Sequence, residues 1–294
     1  MIRDRNVDRI CMVTGSTSGI GAVAALELAR LGATVIIVGR SAARCARQVA
    51  KIRRSVTDAR LDSFQADLSS QAEVRRLAEE FSRRYSHLDV LVNNAGAYYA
   101  KRQVSPDRLE MTFALNHMGY FLLTCLLLNR LKASTSARIV IVSSAAHQQG
   151  RIDFDDLQSE HDYNRNAAYA QSKLANLLFA YALARRLKGT RVTVNALHPG
   201  SVRTNLGGND NWLKTRLRNL MKPGMIRPEE GAKTILYLAA SPEVEGVTGK
   251  YFYNCRPIRS SDESYDVADG ERLWRLSESL AGGGRSPVSP KQPQ

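Results

Sequence analysis

Short apolar runs alternate along this chain with longer segments whose apolar residues recur every three or four positions. "RICMVTG" and "ATVIIVGR" have the length and β-branched character of strands buried on both faces. Between them, "IGAVAALELARLG" carries helical spacing and ends at Gly32, a residue suited to a helix C-terminus. The alternation continues with "RLDSFQADL" as strand, "QAEVRRLAEEFSRRY" as helix and "LDVLVNNAG" as strand. "PDRLEMTFALNHMGYFLLTCLLLNRLK" then predicts one long helix, "ARIVIVSSAA" a strand, "AAYAQSKLANLLFA" a helix and "TRVTVNALHPG" a strand. Strands alternating with helices predict an α/β fold, a Rossmann-like doubly wound parallel sheet. No internal repeat or linker divides the chain, so one domain is expected over 1–280.

Three stretches leave this rhythm. Residues 147–166, "HQQGRIDFDDLQSEHDYNRN", are polar and mixed and read as an insertion before a helix. Residues 203–232 surround the amphipathic "NWLKTRLRNLMK" with loop chemistry, and are expected to form a lid near the substrate. The same basic helix is compatible with packing on the core, or with peripheral contact to an anionic membrane. The stretch 281–294, "AGGGRSPVSPKQPQ", has almost nothing to bury and is expected to be a disordered tail.

Charge changes the picture modestly. The net charge is +14, from 42 basic and 28 acidic side chains. Such a surface attracts anions of many kinds. No helix-turn-helix, zinc-finger or aromatic RNA-binding motif accompanies it, so nucleic acid is not an expected partner. The four cysteines are dispersed, which argues against zinc ribbons and disulfide frameworks and fits a reducing compartment. The longest apolar stretch, "YFLLTCLLLNRL", is interrupted by Thr124, Asn129 and Arg130 and falls short of a membrane span. "MIRDRNVDR" does not resemble a signal peptide. The expectation is a cytoplasmic protein with no transmembrane anchor.

"TGSTSGIG", Thr14–Gly21, falls between the first strand and the first helix. Gly15 permits a tight turn, Gly19 a close approach of backbone to a pyrophosphate, and Gly21 close helix–strand packing. Ser16, Thr17, Ser18 and Ile20 complete the turn, and the helix N-terminus faces the negative charge. The spacing GxxxGxG differs from the GxGxxG fingerprint. The second strand ends in Arg40 with no carboxylate from Thr34 to Asp58, where a dinucleotide site for NAD usually carries an acid. A guanidinium there grips a 2′-phosphate, and Arg44 and Arg47 enlarge the positive field, so NADP(H) is the expected cofactor.

Tyr169 and Lys173, four positions apart, share a helix face. A free tyrosine titrates near pH ~10, and a neighbouring ammonium favours its phenolate. Ser143 and Ser144 end a strand, where parallel sheets place their ligands. With the glycine turn, "NNAG", Asn116, Ser144, Tyr169 and Lys173 in this order, the chain resembles the short-chain dehydrogenase/reductase family over roughly residues 8–255. The resemblance implies that Tyr169 is the general acid/base and that Lys173 lowers its pKa and bonds the nicotinamide ribose. It implies further that Ser144 polarises the substrate oxygen and that Asn116 anchors a water in a proton relay. Asn93 is expected to brace the sheet and approach the cofactor, with Ala95 and Gly96 along its path. Asp67 and Leu68 match the adenine contact, while Pro199, Gly200, Val202 and Thr204 match the segment clasping the carboxamide. His117 and His198 read as packing residues.

Within the family, "FALNHMGYFLLTCLLLNRLK", the "DFDDLQSE" insertion and "VTGKYFYNCRP" are similar to the retinol dehydrogenase-like branch. That branch implies a lipophilic aldehyde or ketone interconverted with its alcohol, retinal-like in class. Protochlorophyllide-type and other small-carbonyl reductases share a related layout, and a non-enzymatic NADP(H) sensor is the alternative of a different kind. Tyr98, Tyr99, His147, Gln149, Leu206 and Trp212 are candidates for the substrate mouth. Members of the family are commonly dimers or tetramers, which implies a homo-oligomer.

Overall fold

The computed structural model describes residues 7–202 and 225–282. Its centre is an eight-stranded sheet with the order β3-β2-β1-β4-β5-β6-β7-β8. In chain order the elements begin with β1 (Ile10–Thr14), α1 (Gly19–Arg30), β2 (Thr34–Gly39) and α2 (Ala42–Ser55). They continue with β3 (Leu61–Gln65), α3 (Gln71–Arg84), β4 (Val90–Asn93) and the long α4 (Met111–Lys132). Next come β5 (Ala137–Val142), α5 (Arg165–Arg186) and β6 (Val192–Leu197). The last are α6 (Pro228–Ala240), β7 (Lys250–Tyr253), β8 (Arg256–Ile258) and α7 (Val267–Leu280). All neighbouring pairs are parallel except β7 with β8.

Alternation along each strand divides the core in two. From β1, Ile10 and Met12 face the cluster beneath α3, α4, α5 and α7, while Cys11 and Val13 face the one beneath α1, α2 and α6. Because both faces are covered, the central strands β1, β2 and β4 are almost wholly apolar rather than alternating. Strand order runs outward to β3 on one side of β1 and to β8 on the other. The crevice therefore opens at the C-terminal ends of β1 and β4, where that order reverses.

α4 has the length and composition of a membrane-crossing helix, but 89% of its most apolar stretch is buried inside this fold. Its start differs from the expected one near Pro106. Arg108 takes a left-handed φ of 63°, and the buried Glu110 carboxylate accepts from the backbone N–H groups of Thr112 and Phe113. That carboxylate satisfies two donors of the first turn, so the helix begins at Met111. Residues 114–118 of α4 form a π-helical turn, the kind of irregularity that often marks functional positions.

The polar insertion is fastened rather than loose. Gln171 accepts from Asp153 N–H and donates to the Leu157 carbonyl, and Gln158 accepts from Glu110 N–H. Ile152, Phe154 and Leu157 supply its apolar contacts with the core.

Candidate active site

The C-terminal end of β1 builds the floor of a cleft of about 710 Å³. Thr14 Oγ1 donates to the Val92 carbonyl at 3.2 Å and accepts from the N–H groups of Asn94 (2.8 Å) and Ala95 (3.0 Å), joining the ends of β1 and β4. Gly15 turns the chain at φ +64°, and a methyl group there would stand 2.8 Å from Ala95 Cα. At Gly21 it would meet Asn94 Nδ2 at 2.4 Å and the Gly15 carbonyl oxygen at 2.7 Å. Glycine is thus required by space at Gly21 and by both space and dihedral at Gly15. The Ser18 side chain makes no capping bond to α1, and no acidic residue lies in the first turn of that helix. A helix N-terminus left in this state favours an anion.

One end of the cleft is cationic. Arg40, Arg44, Arg47, Lys51 and Arg54 all border it, and no carboxylate does among the described residues. The last four recur along one face of α2, which contains no acidic residue. The cradle of glycines, the free helix terminus and this basic wall could hold a phosphorylated dinucleotide, whose phosphates would meet Gly15, Thr17, Ser18, Gly19, Ile20 and Gly21, with Arg40 and Arg44 at the far end.

The other end holds the polar side chains singled out from the sequence. Lys173 and Tyr169 project from the same face of α5, with the ammonium 5.6 Å from the phenol ring centroid. Lys173 Nζ donates to the Val142 carbonyl at 3.1 Å. Of the two serines, Ser143 borders the cleft but gives its hydroxyl to the Lys173 carbonyl at 2.8 Å. Ser144 caps the short turn Ala145–Gln149, accepting from Ala146 N–H at 3.2 Å, and its hydroxyl stands close enough to the Tyr169 phenol to favour ionisation. Tyr98 packs edge-on against Tyr169, with ring centroids 5.4 Å apart.

Burial governs both titrations. It pushes Tyr169 up to about 12, against the opposing effect of Ser144, and pushes Lys173 down to about 7. Loss of water is the dominant cause at both positions and favours the neutral form of each group.

Other expected positions fall differently. Asn116 sits in the π-helical turn, where its side chain accepts from Ala97 N–H at 2.8 Å and donates to the Ala97 carbonyl and Ser172 Oγ at 3.0 Å. These bonds commit the side chain to bracing the loop after β4. It still lies near Lys173: a methyl on Gly96 would be 3.2 Å from Asn116 Oδ1 and 3.6 Å from Lys173 Nζ. Asn93 is fully buried and donates to Thr124 Oγ1, and it is Asn94, which the sequence reading passed over, that borders the cleft. Ser16 is buried too, tying β1 to β2 through the Val13 carbonyl and Val38 N–H. Asp67 accepts from the hydroxyl and N–H of Ser69, while its neighbours Ala66 and Leu68 line the wall. Ala95, Gly96 and Pro199 line it as well. Gly200 follows Pro199 at φ +85°. Val202 pairs with Ile226, and its side chain, like that of Ile20, stands against Gly231.

Two substrate candidates are misplaced by sequence. Tyr99 is buried, with its hydroxyl in the field of Arg40 and Asp67, at the cationic end. His147 is fully buried and hydrogen-bonded, so it cannot line a mouth. Gln149 is exposed. Thr204, Leu206, Trp212 and most of the expected lid and tail lie outside the described residues. Lys51 and Arg54 were missed although their spacing from Arg44 and Arg47, at successive turns of α2, is legible in the sequence.

The sequence model of the family described as short chain dehydrogenase matches residues 9–212. Retinol dehydrogenase 14 of Mus musculus is 44% identical over 284 residues, spanning 92% of this chain and 85% of that protein. Polyprenol dehydrogenase of Homo sapiens is 40% identical over 282 residues, spanning 94% and 86%. Among solved structures, an uncharacterised protein from Mycobacterium Paratuberculosis is similar at a TM-score of 0.75 and 34% identity, covering 94% of each chain. A short chain dehydrogenase from Escherichia coli CFT073 complexed with NADPH gives a TM-score of 0.69 at 27% identity, covering 86% of this chain and 98% of that one. Sequence, fold and cleft agree: the chain belongs to the short-chain dehydrogenase family, oxidoreductases that work with a nicotinamide cofactor.

Proposed function

We propose that this protein is an NADP(H)-dependent oxidoreductase that interconverts a lipophilic, retinal-like aldehyde or ketone with its alcohol, using Tyr169 as general acid/base. The observation that carries the reading is a cleft whose cationic end has no carboxylate among the described residues and whose other end holds Tyr169 and Lys173, with the Ser144 hydroxyl beside the Tyr169 phenol. Arg40 and Arg44 would hold the 2′-phosphate, and the uncapped start of α1 would hold the pyrophosphate. A bound nicotinamide would supply hydride to the carbonyl carbon in reduction, or accept it from the alcohol carbon in oxidation.

The remaining work belongs to the protein. In reduction, Ser144 hydrogen-bonds the substrate oxygen and Tyr169 gives it a proton as hydride arrives. A phenol raised to about 12 keeps its proton at neutral pH, so it is loaded for the acid role but gives the proton up at a cost. A proton on Lys173 then lowers the cost of the phenolate left behind. In the family relay, Asn116 would hold the loop beside Lys173 in place, since its side chain is engaged by Ala97. The substrate class rests on the relatives, which include a retinol and a polyprenol dehydrogenase. The cofactor form rests on the basic wall, in line with the NADPH held by the Escherichia coli relative.

The test crosses NADPH and NADH with all-trans-retinal, a long-chain aldehyde and a small ketone. Turnover of retinal with NADPH, well above that with NADH, is expected. Turnover of the small ketone alone would remove the substrate class, and tight NADPH binding without turnover would favour a sensor.

A further inference from the structure

His147 lies at the centre of a buried polar cluster that the reaction above does not use. Its Nδ1 is 2.7 Å from the Ser144 carbonyl oxygen, and its Nε2 is 3.1 Å from the backbone nitrogen of Ser261. Each neighbour has only one hydrogen-bonding role here. A carbonyl can only accept, so Nδ1 carries the proton; a backbone N–H can only donate, so Nε2 carries the lone pair. Both contacts demand the same neutral tautomer.

The far end of this link is itself anchored. Ser260 Oγ bonds the hydroxyls of Tyr181 and Ser264, each at 2.7 Å, and Ser264 Oγ donates to the Ser261 carbonyl. Ser261 is thereby fixed against α5, the helix that carries Tyr169. The hydroxyl of Tyr251 adjoins Nδ1 at 3.4 Å, and its ring meets the imidazole edge-on at 5.0 Å. Besides Tyr251 from β7, the titratable groups acting on or beside the imidazole are His198 and Glu263. The near end is the residue whose hydroxyl stands beside Tyr169. The Ser144 carbonyl accepts from both the His147 side chain and its backbone N–H, at 2.7 and 3.1 Å, which clamps the turn that aims Ser144 Oγ.

We propose that His147 is a positioning residue for Ser144: through its neutral Nδ1–H bond, braced at Nε2 by Ser261, it sets the angle at which the Ser144 hydroxyl meets Tyr169 and the substrate oxygen. This rests on the assignment of Ser144 and Tyr169 to the reaction. A neutral imidazole suits the role, because a second proton on Nε2 would face the Ser261 N–H donor to donor. Burial lowers the His147 pKa and keeps that proton away.

Three substitutions separate positioning from packing. His147→Phe keeps the ring and removes both bonds; His147→Asn restores a donor near Nδ1; His147→Gln restores an acceptor near Nε2. All-trans-retinal reduction with NADPH, NADPH binding by fluorescence, and Tm are measured for each, with Tyr169→Phe alongside. His147→Phe and His147→Gln are expected to lose about 10- to 100-fold in kcat at unchanged NADPH affinity, and His147→Asn to recover most of it. Histidine 15N NMR of the unsubstituted protein is expected to show the Nδ1–H tautomer for His147. Equal kcat for all three variants, or an Nε2–H tautomer, would overturn the proposal while leaving Tyr169 in place. Full turnover by Tyr169→Phe would overturn the assignment on which it rests, and the proposal with it.

Discussion

Tyr169 and Lys173 illustrate what a side chain's surroundings do to its chemistry. Both are driven toward their neutral forms by burial, Tyr169 up to about 12 and Lys173 down to about 7. The direction of the Tyr169 shift has a kinetic consequence. Carbonyl reduction needs the protonated phenol, which dominates throughout the neutral range; alcohol oxidation needs the phenolate, scarce below pH ~12. Steady-state rates between pH 7 and 9 should therefore rise with pH for oxidation, by up to about tenfold per unit, while reduction stays nearly flat. Parallel profiles in both directions would contradict this. The Lys173 shift has a consequence for stability. Its folded pKa lies below the unfolded value, so the buried ammonium destabilises fully below pH ~7 and that penalty fades as pH rises toward ~10.5. Lys173→Met should gain most over the native protein near pH 6, and the advantage should shrink by at most ~1.4 kcal/mol per pH unit above 7 in denaturant melts. The pairing of these residues was legible from their spacing. The sign of their shifts was not, because it depends on burial in the folded chain, which for Tyr169 outweighs the opposing bond from Ser144. His147 was misread for the same reason: a histidine after a strand end does not announce that both its nitrogens are already taken.

At the level of elements, β1 to β6 and α1, α3, α4 and α5 followed from apolar periodicity, and the glycine turn fell where strand meets helix; α2, α7 and β8 were not anticipated, and α6 begins at Pro228, inside the stretch expected to be a lid. What escaped was local competition. α4 starts at Met111 because the Glu110 carboxylate caps it, and its π-helical turn sets Asn116 against Ala97. Neither feature leaves a periodic mark. The α1 turn supports a sharper prediction. Gly21→Ala would press a methyl to 2.4 Å from Asn94 Nδ2 and 2.7 Å from the Gly15 backbone oxygen. The backbone oxygen has no easy retreat, so the turn beneath the phosphates must open. NADPH affinity measured by titration should drop more than tenfold while far-UV circular dichroism stays native. On α2, the basic face was half seen: Arg44 and Arg47 were read as enlarging a positive field, and Lys51 and Arg54 continue the same face for two more turns.

For the molecule as a whole, cleft asymmetry is the organising feature. In the proposed function one end attracts phosphate and the other handles a proton, so cofactor and carbonyl would be sorted by electrostatics before any specific contact forms. Long-range attraction of this kind is screened by salt, with a Debye length of about 10 Å at 0.1 M. The KM for NADPH should rise severalfold between 50 and 500 mM salt, and a triple Arg47, Lys51, Arg54→Gln variant should show a higher KM and a flatter salt response. An Arg40→Asp variant should lose at least tenfold in its NADPH-over-NADH preference, in keeping with about 1.5–3 kcal/mol for a hydrogen bond to a charged group. The central claim is that Tyr169 moves the proton for a nicotinamide-dependent carbonyl reduction. The most direct measurement is single-turnover reduction of all-trans-retinal by NADPH in Tyr169→Phe beside the native protein, with NADPH affinity determined for both. Equal affinity with turnover reduced by about 100-fold or more is the predicted result; equal affinity with native turnover would contradict it.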